Sequence, residues 1–220
     1  MEGPGSFWPL FDLVVRTPRL ELRLPRDEDL AALVVLVDAG IHDPSTMPFF
    51  VPWTDVEPRR RARQTAQWLW GHRANWSPDK WTFTAGVFVG GRPVGIQAIG
   101  GENFPAVRSV ETGSWLGRAH QGRGLGREMR EAVLHLAFAG LGAEEALSGG
   151  FEDNAASLAV SRAVGYDENG EARGRRRDGS GRTIRFRMGR ETWEGRRRDD
   201  IEITGLDGCL EMFVAPAPTT

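Results

Sequence analysis

The apolar and polar residues near the start of the chain recur with two different periods. From Leu20 to Leu24 leucines occupy every second position and charged residues stand between them, which is typical of a half-buried strand. From Leu30 to Val37 apolar residues recur at helical spacing, and the acidic run Asp27–Asp29 before them suits a helix N-terminus. The pattern predicts a strand followed by an amphipathic helix.

The middle of the chain predicts two further groups of elements. A helix runs from Pro58 towards Asn75, and the strands Trp81–Val89 and Pro93–Ile99 are joined by a tight turn at Gly90–Gly91. Then follow the strand Ser109–Leu116, the helix Arg127–Ala139, a short strand around Ala146–Ser148, the helix Ala155–Val164, and the strands Glu171–Arg177 and Thr183–Met188 with a turn at Asp178–Gly181. This order indicates a mixed α/β sheet.

The two terminal segments differ from this core. Residues Met1 to Phe11 are rich in glycine, proline and aromatic residues, so we expect an arm with little regular structure. We divide the chain into an arm (1–14), one domain (15–193) and a C-terminal extension (194–220). Within the extension, Ile201–Ile203 is predicted to add an edge strand or to contact a partner subunit, and Ala215–Thr220 (APAPTT) is expected to be loose.

Composition excludes several classes of protein. The chain has 220 residues, 28 basic and 30 acidic, so net charge favours neither nucleic acid nor a membrane surface. Its three arginine triplets have acidic neighbours and are interpreted as solvated faces. The single cysteine, Cys209, and the histidines His42, His72 and His135 offer no metal-site spacing. With no spanning apolar run and no signal peptide, a cytoplasmic protein is expected.

A glycine-rich hexapeptide, Gln121–Gly126 (QGRGLG), stands where a predicted strand passes into a helix. The first N–H groups of a helix are unpaired and suit an anion, and glycine lets the backbone approach that anion closely. A Walker A loop would need Lys-Ser/Thr after Gly126, and the dinucleotide fingerprint would need glycine at Arg127. The pattern that fits is Gln/Arg-x-x-Gly-x-Gly/Ala.

Two other segments carry polar residues at suggestive spacing. Asn154-x-x-Ser157 opens a predicted helix that ends at Gly165-Tyr166, and capping alone is an alternative explanation. On the strand Ser109–Leu116, residues Glu111, Gly113 and Trp115 share one face.

Together these three segments resemble the GNAT acyltransferase superfamily, in particular its RimJ/RimL-type branch, over roughly residues 15–193. The resemblance implies a GNAT fold: a mixed, mostly antiparallel sheet flanked by helices, in a single domain with a C-terminal extension. It implies that the glycine loop holds the pyrophosphate of coenzyme A. The implied coenzyme-binding residues are Trp115, Leu116, Gly117, Gln121, Gly122, Arg123, Gly124, Leu125, Gly126, Asn154 and Ser157.

The resemblance also suggests the catalytic groups. Glu111 is the candidate base for the attacking amine, with His120 or water as alternatives, or Glu111 could simply pair with an arginine. Ser157 is the candidate donor of a proton to the leaving thiolate. Ser114 replaces the tyrosine usual in this branch. The aromatic segment around Phe49, Phe50 and Trp53 falls where the superfamily builds its acceptor pocket, although core packing would explain it too.

The predicted function is therefore transfer of an acetyl or succinyl group from coenzyme A to a primary amine, directly in a ternary complex without a metal. Succinyl-CoA is included because the segments at 41–44 (IHDP) and 51–53 (VPW) are similar to an actinobacterial subgroup with succinyl-CoA-using members. The acceptor is a small-molecule or protein amine, with no nucleic-acid or membrane partner, and homo-oligomerisation is left open. The alternatives are a non-catalytic acyl-CoA sensor and a protein that binds another nucleotide.

Overall fold

The computed structural model describes residues 3–214, and one sheet runs through this part of the chain. Its strands are β1 Val14–Arg16, β2 Glu21–Arg23, β3 Lys80–Val89, β4 Arg92–Glu102, β5 Ser109–Leu116, β6 Glu145–Phe151, β7 Asp167–Arg176, β8 Gly179–Gly189 and β9 Glu202–Thr204. They lie in the order β7-β8-β6-β5-β4-β3-β2-β1-β9, and only the β5–β6 pair is parallel. The predicted mixed, mostly antiparallel sheet is confirmed.

Helices cover both faces of the sheet. They are α1 Asp27–Asp38, α2 Pro58–Ala74, α3 Phe104–Val107, α4 Leu125–His135, α5 Ala155–Val164, α6 Arg190–Glu194 and α7 Glu211–Val214. Leu33 of α1 and Leu69 of α2 pack against Ile96 of β4, whereas the next residue, Gln97, faces α4. Across residues 3–214, no helix is both long and apolar enough to cross a membrane.

The β3–β4 hairpin forms as the sequence predicts. Val89 pairs with Arg92, so the turn has two residues, Gly90 at φ +55° and Gly91 at φ +76°. A two-residue hairpin turn of this kind needs positive φ at both positions, which glycine adopts without steric cost.

The β7–β8 turn was placed wrongly by the sequence pattern. Arg176 pairs with Gly179, so the turn consists of Arg177 and Asp178, and Gly179–Gly181 belong to the strand. Arg177 takes φ +50°, an uncommon conformation for a residue with a side chain. Its guanidinium donates to Asp55 Oδ2 at 2.7 Å and to the Pro44 carbonyl at 3.1 Å, and these tertiary contacts hold the turn.

Both terminal segments join the same core. In the part of the arm that the structure describes, two short 3-10 turns, Pro4–Ser6 and Pro9–Phe11, replace the expected irregular chain, and Leu10 is fully buried. The predicted edge strand is confirmed, because β9 pairs antiparallel with β1 and sets Val15 opposite Ile203. Residues 215–220, expected to be loose, lie outside the described range.

The parallel pair β5–β6 separates partway along its length. Pairing extends from Ser109 opposite Glu145 to Glu111 opposite Leu147 and then stops, although β5 runs on to Leu116 and β6 to Phe151. Beyond that point, within residues 3–214, β5 pairs only with β4, and β6 pairs only with β8. The sheet therefore contains an opening between residues 112–116 and 148–151, called here the strand gap.

Candidate active site

The glycine loop lies at the end of the strand gap and forms the N-terminus of α4. Gly122 and Gly124 take φ +71° and +78°, which favours glycine at both positions. Gly124 is the N-cap residue of α4, and no side chain of residues 3–214 caps that end of the helix. The first N–H groups of α4 therefore point out of an exposed loop without a side-chain acceptor, an arrangement that suits an anion.

Gln121 anchors this loop. Its amide nitrogen donates to the carbonyls of Leu116 and Ile41, both at 2.8 Å. The loop is thereby tied to the end of β5 and to the segment after α1. The side-chain amide of this predicted coenzyme-binding residue is thus engaged by protein carbonyls, and Gln121 shapes the loop.

Arg19 and Glu128 brace the loop from the other side, and sequence reasoning missed both. Arg19 donates to the Arg123 carbonyl at 3.0 Å and to Glu128 Oε2 at 2.5 Å, while the Thr17 hydroxyl donates to Glu128 Oε1 at 2.5 Å. Burial acts to raise the pKa of Glu128, but hydrogen bonds from Thr17 and Arg19 and the Arg19 charge hold it below its ordinary value. The only sequence signal was the segment Thr17–Leu20, interpreted as strand.

Cationic side chains surround the loop. Arg127 pairs with Glu131 at 2.7 Å, but Arg118 and Arg123 form no ion pair with any residue between 3 and 214. Their guanidinium groups can offer forked donors to phosphate.

The main chain of β5 lines one side of the strand gap. The Gly117 N–H donates to the Val94 carbonyl at 3.0 Å, and the Gly113 carbonyl accepts from Gln97 at 3.1 Å, so the odd-numbered residues face β4. Strand alternation then turns the N–H groups of Ser114 and Leu116 into the gap. Residues 115–117 are implied to bind the coenzyme, but the Gly117 N–H and the Leu116 carbonyl are already paired within the protein.

Ser157 lies across the gap from β5. The Asn154 side chain accepts from the Ser157 N–H at 3.3 Å, so the capping interpretation of this motif holds for Asn154. The Ser157 hydroxyl approaches β6 where that strand lacks a side chain, because a Cβ built on Gly150 would stand 3.5 Å from the Ser157 oxygen. This hydroxyl has no hydrogen-bond partner in the described part of the chain, which leaves it available to a ligand.

Glu111 lies where the gap begins, at the last paired position of β5. Its side chain is exposed and shares a face with Gly113 and Trp115. Within residues 3–214 no arginine or lysine forms an ion pair with it, so the alternative of a simple structural pair is not seen. The other base candidate, His120, lies in the short turn Arg118–His120 beside the glycine loop.

A cavity of about 570 Å³ opens on the face of the sheet that carries α1 and α2. Its lining is largely apolar and includes Phe49, Trp53, Trp68, Gly113 and Ser114. Trp53 packs against Trp115 of β5 at 6.2 Å between ring centroids. Because Gly113 and Ser114 border both the cavity and the strand gap, the two spaces meet at β5. Of the predicted acceptor-pocket segment, Phe49 and Trp53 line or border this cavity, whereas Phe50 packs on Phe151. That the cavity receives the acceptor stays a prediction.

A second feature that the sequence did not reveal is the buried side chain of Arg130, on α4. It donates to the hydroxyl oxygens of Ser148 and Ser114 at 3.0 and 3.1 Å, one on each strand beside the gap. Nothing in the local sequence distinguishes this arginine from the exposed ones around it. No group of three or more histidine, cysteine or acidic side chains within residues 3–214 could hold a metal ion.

The described fold combines a helix N-terminus that suits an anion, a gap between two parallel strands and an apolar cavity beside that gap. These are the features expected of a coenzyme A-dependent acyltransferase. The chain belongs to the acetyltransferase (GNAT) domain family, whose sequence model matches residues 19–167. The predicted superfamily, fold and enzyme class are thereby confirmed.

Several solved structures share this fold. Mycobacterium smegmatis RimJ in complex with CoA-disulfide shares 20% identity at a TM-score of 0.68, over 92% of this chain and 95% of that one. RimL, a ribosomal L7/L12 alpha-N-protein acetyltransferase in complex with coenzyme A, shares 17% sequence identity at a TM-score of 0.64. The match covers 80% of this chain and 97% of RimL. The microcin C7 self-immunity acetyltransferase MccE, in complex with acetyl-CoA and AMP, shares 14% sequence identity at a TM-score of 0.58. The match covers 78% of this chain and 93% of MccE. At these identities the likeness is one of fold.

Proposed function

We propose that this protein moves an acetyl or succinyl group from a coenzyme A thioester to a primary amine, by direct transfer in a ternary complex. The observation that carries the proposal is the junction at Gly113–Ser114. There the strand gap, which ends at the glycine loop, meets the apolar cavity on the other face of the sheet. A thioester in the gap and an amine in the cavity would reach each other at this point.

The coenzyme would lie along the gap. Its pyrophosphate would accept hydrogen bonds from the N–H groups of the loop Gly122–Gly126, with Arg118 and Arg123 nearby as counter-charges. The amide groups of its pantetheine arm would pair with the main chain of Ser114 and Leu116, in the manner of an added strand. RimJ and RimL, which share this fold, were both solved with bound coenzyme A, which supports coenzyme binding by the fold.

The chemistry needs an amine without its extra proton, because an ammonium has no lone pair. Glu111 would accept that proton, directly or through water. The amine nitrogen then attacks the thioester carbonyl, whose developing negative charge the N–H groups of the gap stabilise. As the new C–N bond forms, the C–S bond breaks. The nitrogen then loses its second proton, which reaches the departing thiolate through the Ser157 hydroxyl, and the hydroxyl is left unchanged.

Direct transfer is favoured over a covalent acyl-enzyme. Cys209, the sole cysteine, is fully buried in the C-terminal extension, and burial together with the nearby Asp12 and Asp207 raises the pKa of its thiol to about 12. A thiol with such a pKa is almost entirely protonated at neutral pH and is a poor nucleophile.

The test is calorimetric binding of coenzyme A, with ATP and NAD as competing nucleotides, followed by thiol release with a panel of amines. Gly124→Val should abolish coenzyme A binding, because valine disfavours φ +78° and the loop must then rearrange. The matched control is Gly91→Val, which imposes the same strain at φ +76° in the β3–β4 turn and should leave binding unchanged.

Wild-type affinity in Gly124→Val would contradict the loop assignment. Coenzyme binding without thiol release for any amine would favour the acyl-CoA sensor, and preference for ATP or NAD would favour the nucleotide-binding alternative. The acceptor remains a primary amine on a small molecule or a protein. A cytoplasmic location and a homo-oligomeric state stay predictions.

A further inference from the structure

The lining of the cavity on the α1 and α2 face carries no charge. Among the residues of the described chain that border its volume of about 570 Å³, none is acidic or basic. Only three of the lining side chains carry an amide or hydroxyl group, namely Gln64, Thr65 and Ser114. The volume suits a ligand the size of a small molecule, and the composition of the lining suits one that is mostly apolar.

The charged side chains on the segments that border the cavity are paired with each other. Asp38, at the end of α1, pairs with Arg61 of α2 at 2.8 Å. Asp55, which follows the aromatic segment, pairs with Arg177 at 2.7 Å. A ligand in the cavity therefore meets neither a lining carboxylate for an ammonium group nor a lining guanidinium for a carboxylate. Burying a charge without a counter-charge is costly.

One buried polar atom of the lining has no partner. Gln64 Oε1 accepts no hydrogen bond from any group in the described part of the chain. The other two polar side chains are engaged, since the Thr65 hydroxyl donates to the Arg61 carbonyl at 3.0 Å and the Ser114 hydroxyl accepts from Arg130 at 3.1 Å. A buried oxygen without a donor costs free energy, and an N–H or O–H group of a ligand would remove that cost.

We propose that the cavity receives the acceptor amine as one end of a small molecule whose body is uncharged, largely apolar and equipped with a hydrogen-bond donor for Gln64. This proposal rests on the proposed function, which brings the amine to Gly113–Ser114. Glu111, two residues before Gly113 on β5, can serve the reacting nitrogen alone. A second ammonium or a carboxylate on the body would lose its water without gaining a counter-charge. A peptide fits less well, because each of its residues brings main-chain polar groups that need partners.

Pairs of amines that differ in one group test this proposal. Hexylamine and hexamethylenediamine differ by a second ammonium group, phenethylamine and phenylalanine by a carboxylate, and phenethylamine and tyramine by a hydroxyl; trialanine represents a peptide. Thiol release gives kcat/KM for each amine, with acetyl-CoA and with succinyl-CoA as donor. Quenching of tryptophan fluorescence in the protein loaded with coenzyme A measures amine binding without turnover, because Trp53, Trp68 and Trp115 line the cavity.

We expect kcat/KM to be about tenfold or more higher for hexylamine than for the diamine, and for phenethylamine than for phenylalanine. Tyramine should exceed phenethylamine by about twofold to tenfold, the range for one hydrogen bond between neutral groups. Gln64→Leu should remove the preference for tyramine and keep the discrimination against charged bodies. The control is Gln67→Leu, at an exposed position of the same helix outside the lining, which should keep both.

Equal kcat/KM within each charged and uncharged pair overturns the proposal, even if Gln64→Leu fails to fold. Faster turnover of trialanine than of every small amine also overturns it and assigns the cavity to a protein acceptor. A tyramine preference that persists in Gln64→Leu contradicts the role of Gln64. If no amine is acylated, the proposed function fails, and the fluorescence titrations alone decide: tighter binding of the uncharged bodies supports the cavity specificity, and equal binding overturns it.

Discussion

Three side chains around the strand gap carry polar groups that the described fold leaves without their usual partners. The Ser157 hydroxyl has no hydrogen bond, the Glu111 carboxylate has no ion pair, and the Arg130 guanidinium has only neutral partners. Other charged groups are paired, for example Arg23 with Asp29 at 2.7 Å. This fold pairs many of its charges, yet several polar groups at one location lack hydrogen bonds or counter-ions. Such a cluster is expected where a ligand binds.

Replacing Ser157 with alanine should lower turnover by up to about a hundredfold while coenzyme A affinity barely changes. The reason is that its hydroxyl would act only on the leaving thiolate, whereas its N–H, which Asn154 caps, is kept. Steady-state kinetics and calorimetry measure the two effects. Asn154→Ala is the contrasting variant, because loss of the cap should reduce stability by about 1 kcal/mol. Unchanged turnover in Ser157→Ala would leave Ser157 with no role beyond the N–H that Asn154 caps.

Glu111→Gln keeps the shape of the side chain and removes its capacity to accept a proton. Turnover should fall, and the deficit should shrink as pH rises, because more of the amine is then deprotonated without help. Coenzyme A affinity should be unaffected, since the proposed phosphate site, the glycine loop, lies at the other end of the gap. The measurement is a pH–rate profile of both proteins with one accepted amine. Superimposable profiles would exclude Glu111 as the base and favour His120 or water.

At the scale of elements, the glycine loop depends on a distant segment for its position. Residues Thr17–Leu20, between β1 and β2, reach the start of α4 through the Arg19–Glu128 pair. Glu128 is 4% exposed and Arg19 is half exposed, so water screens this pair less than a fully exposed one but does not leave it unscreened. The loop, the first helix turn and the β1–β2 connection therefore form one braced unit.

Glu128→Gln should destabilise the protein by about 1–3 kcal/mol at pH 7, because Arg19 and Thr17 lose a charged acceptor. Folding lowers the pKa of Glu128 below 4.5, so the carboxylate contributes stability above that pH and loses it as the pH falls through the folded-state pKa. The difference in free energy of unfolding between wild type and Glu128→Gln should thus become smaller below about pH 4.5. Urea unfolding at several pH values measures it.

The control for Glu128 is Glu152→Gln, whose exposed pair with Arg182 spans 3.1 Å. It should change stability by no more than about 0.5 kcal/mol. If the difference in free energy of unfolding between wild type and Glu128→Gln stayed constant from pH 7 to pH 3, the ionised form of Glu128 would contribute nothing to stability.

Elements whose conformation is determined by residues close together in the chain could be predicted from the sequence. The glycines of the β3–β4 turn and of the loop were predictable because positive φ favours one residue type. The β7–β8 turn was misplaced because Arg177 is held by Asp55, a residue far away in the chain. Arg130 was missed for a similar reason: its serine partners come from β5 and β6, and a single arginine in a helix ordinarily indicates a solvent-facing position.

For the whole molecule, the C-terminal extension completes the hydrophobic core. Phe213 is fully buried, and its ring lies 4.9 Å from that of Trp81 and 5.1 Å from that of Trp76. Trp81 also donates its indole N–H to the Phe213 carbonyl at 3.2 Å. The extension therefore packs on β3, at the centre of the sheet, as well as on its edge.

Phe213→Ala should lower the free energy of unfolding by about 3–5 kcal/mol, which is usual when a fully buried phenylalanine is truncated. Chemical denaturation followed by tryptophan fluorescence measures it directly, since Trp76 and Trp81 surround the site. Met212→Ala, at the partly exposed neighbouring position, should cost distinctly less. Equal losses for the two variants would mean that the extension adheres to the surface without completing the core.

The position of β9 beside β1 has a consequence for how the chain folds during synthesis. β1 is made early, and the strand that covers its outer edge follows after nearly the whole domain has been produced. Until then a growing chain presents the unpaired N–H and C=O groups of β1 to other nascent chains, which is a hazard for aggregation. Contacts between such distant segments also make folding slow. The pairing of β9 with β1 can therefore form only after nearly the whole domain has been synthesised.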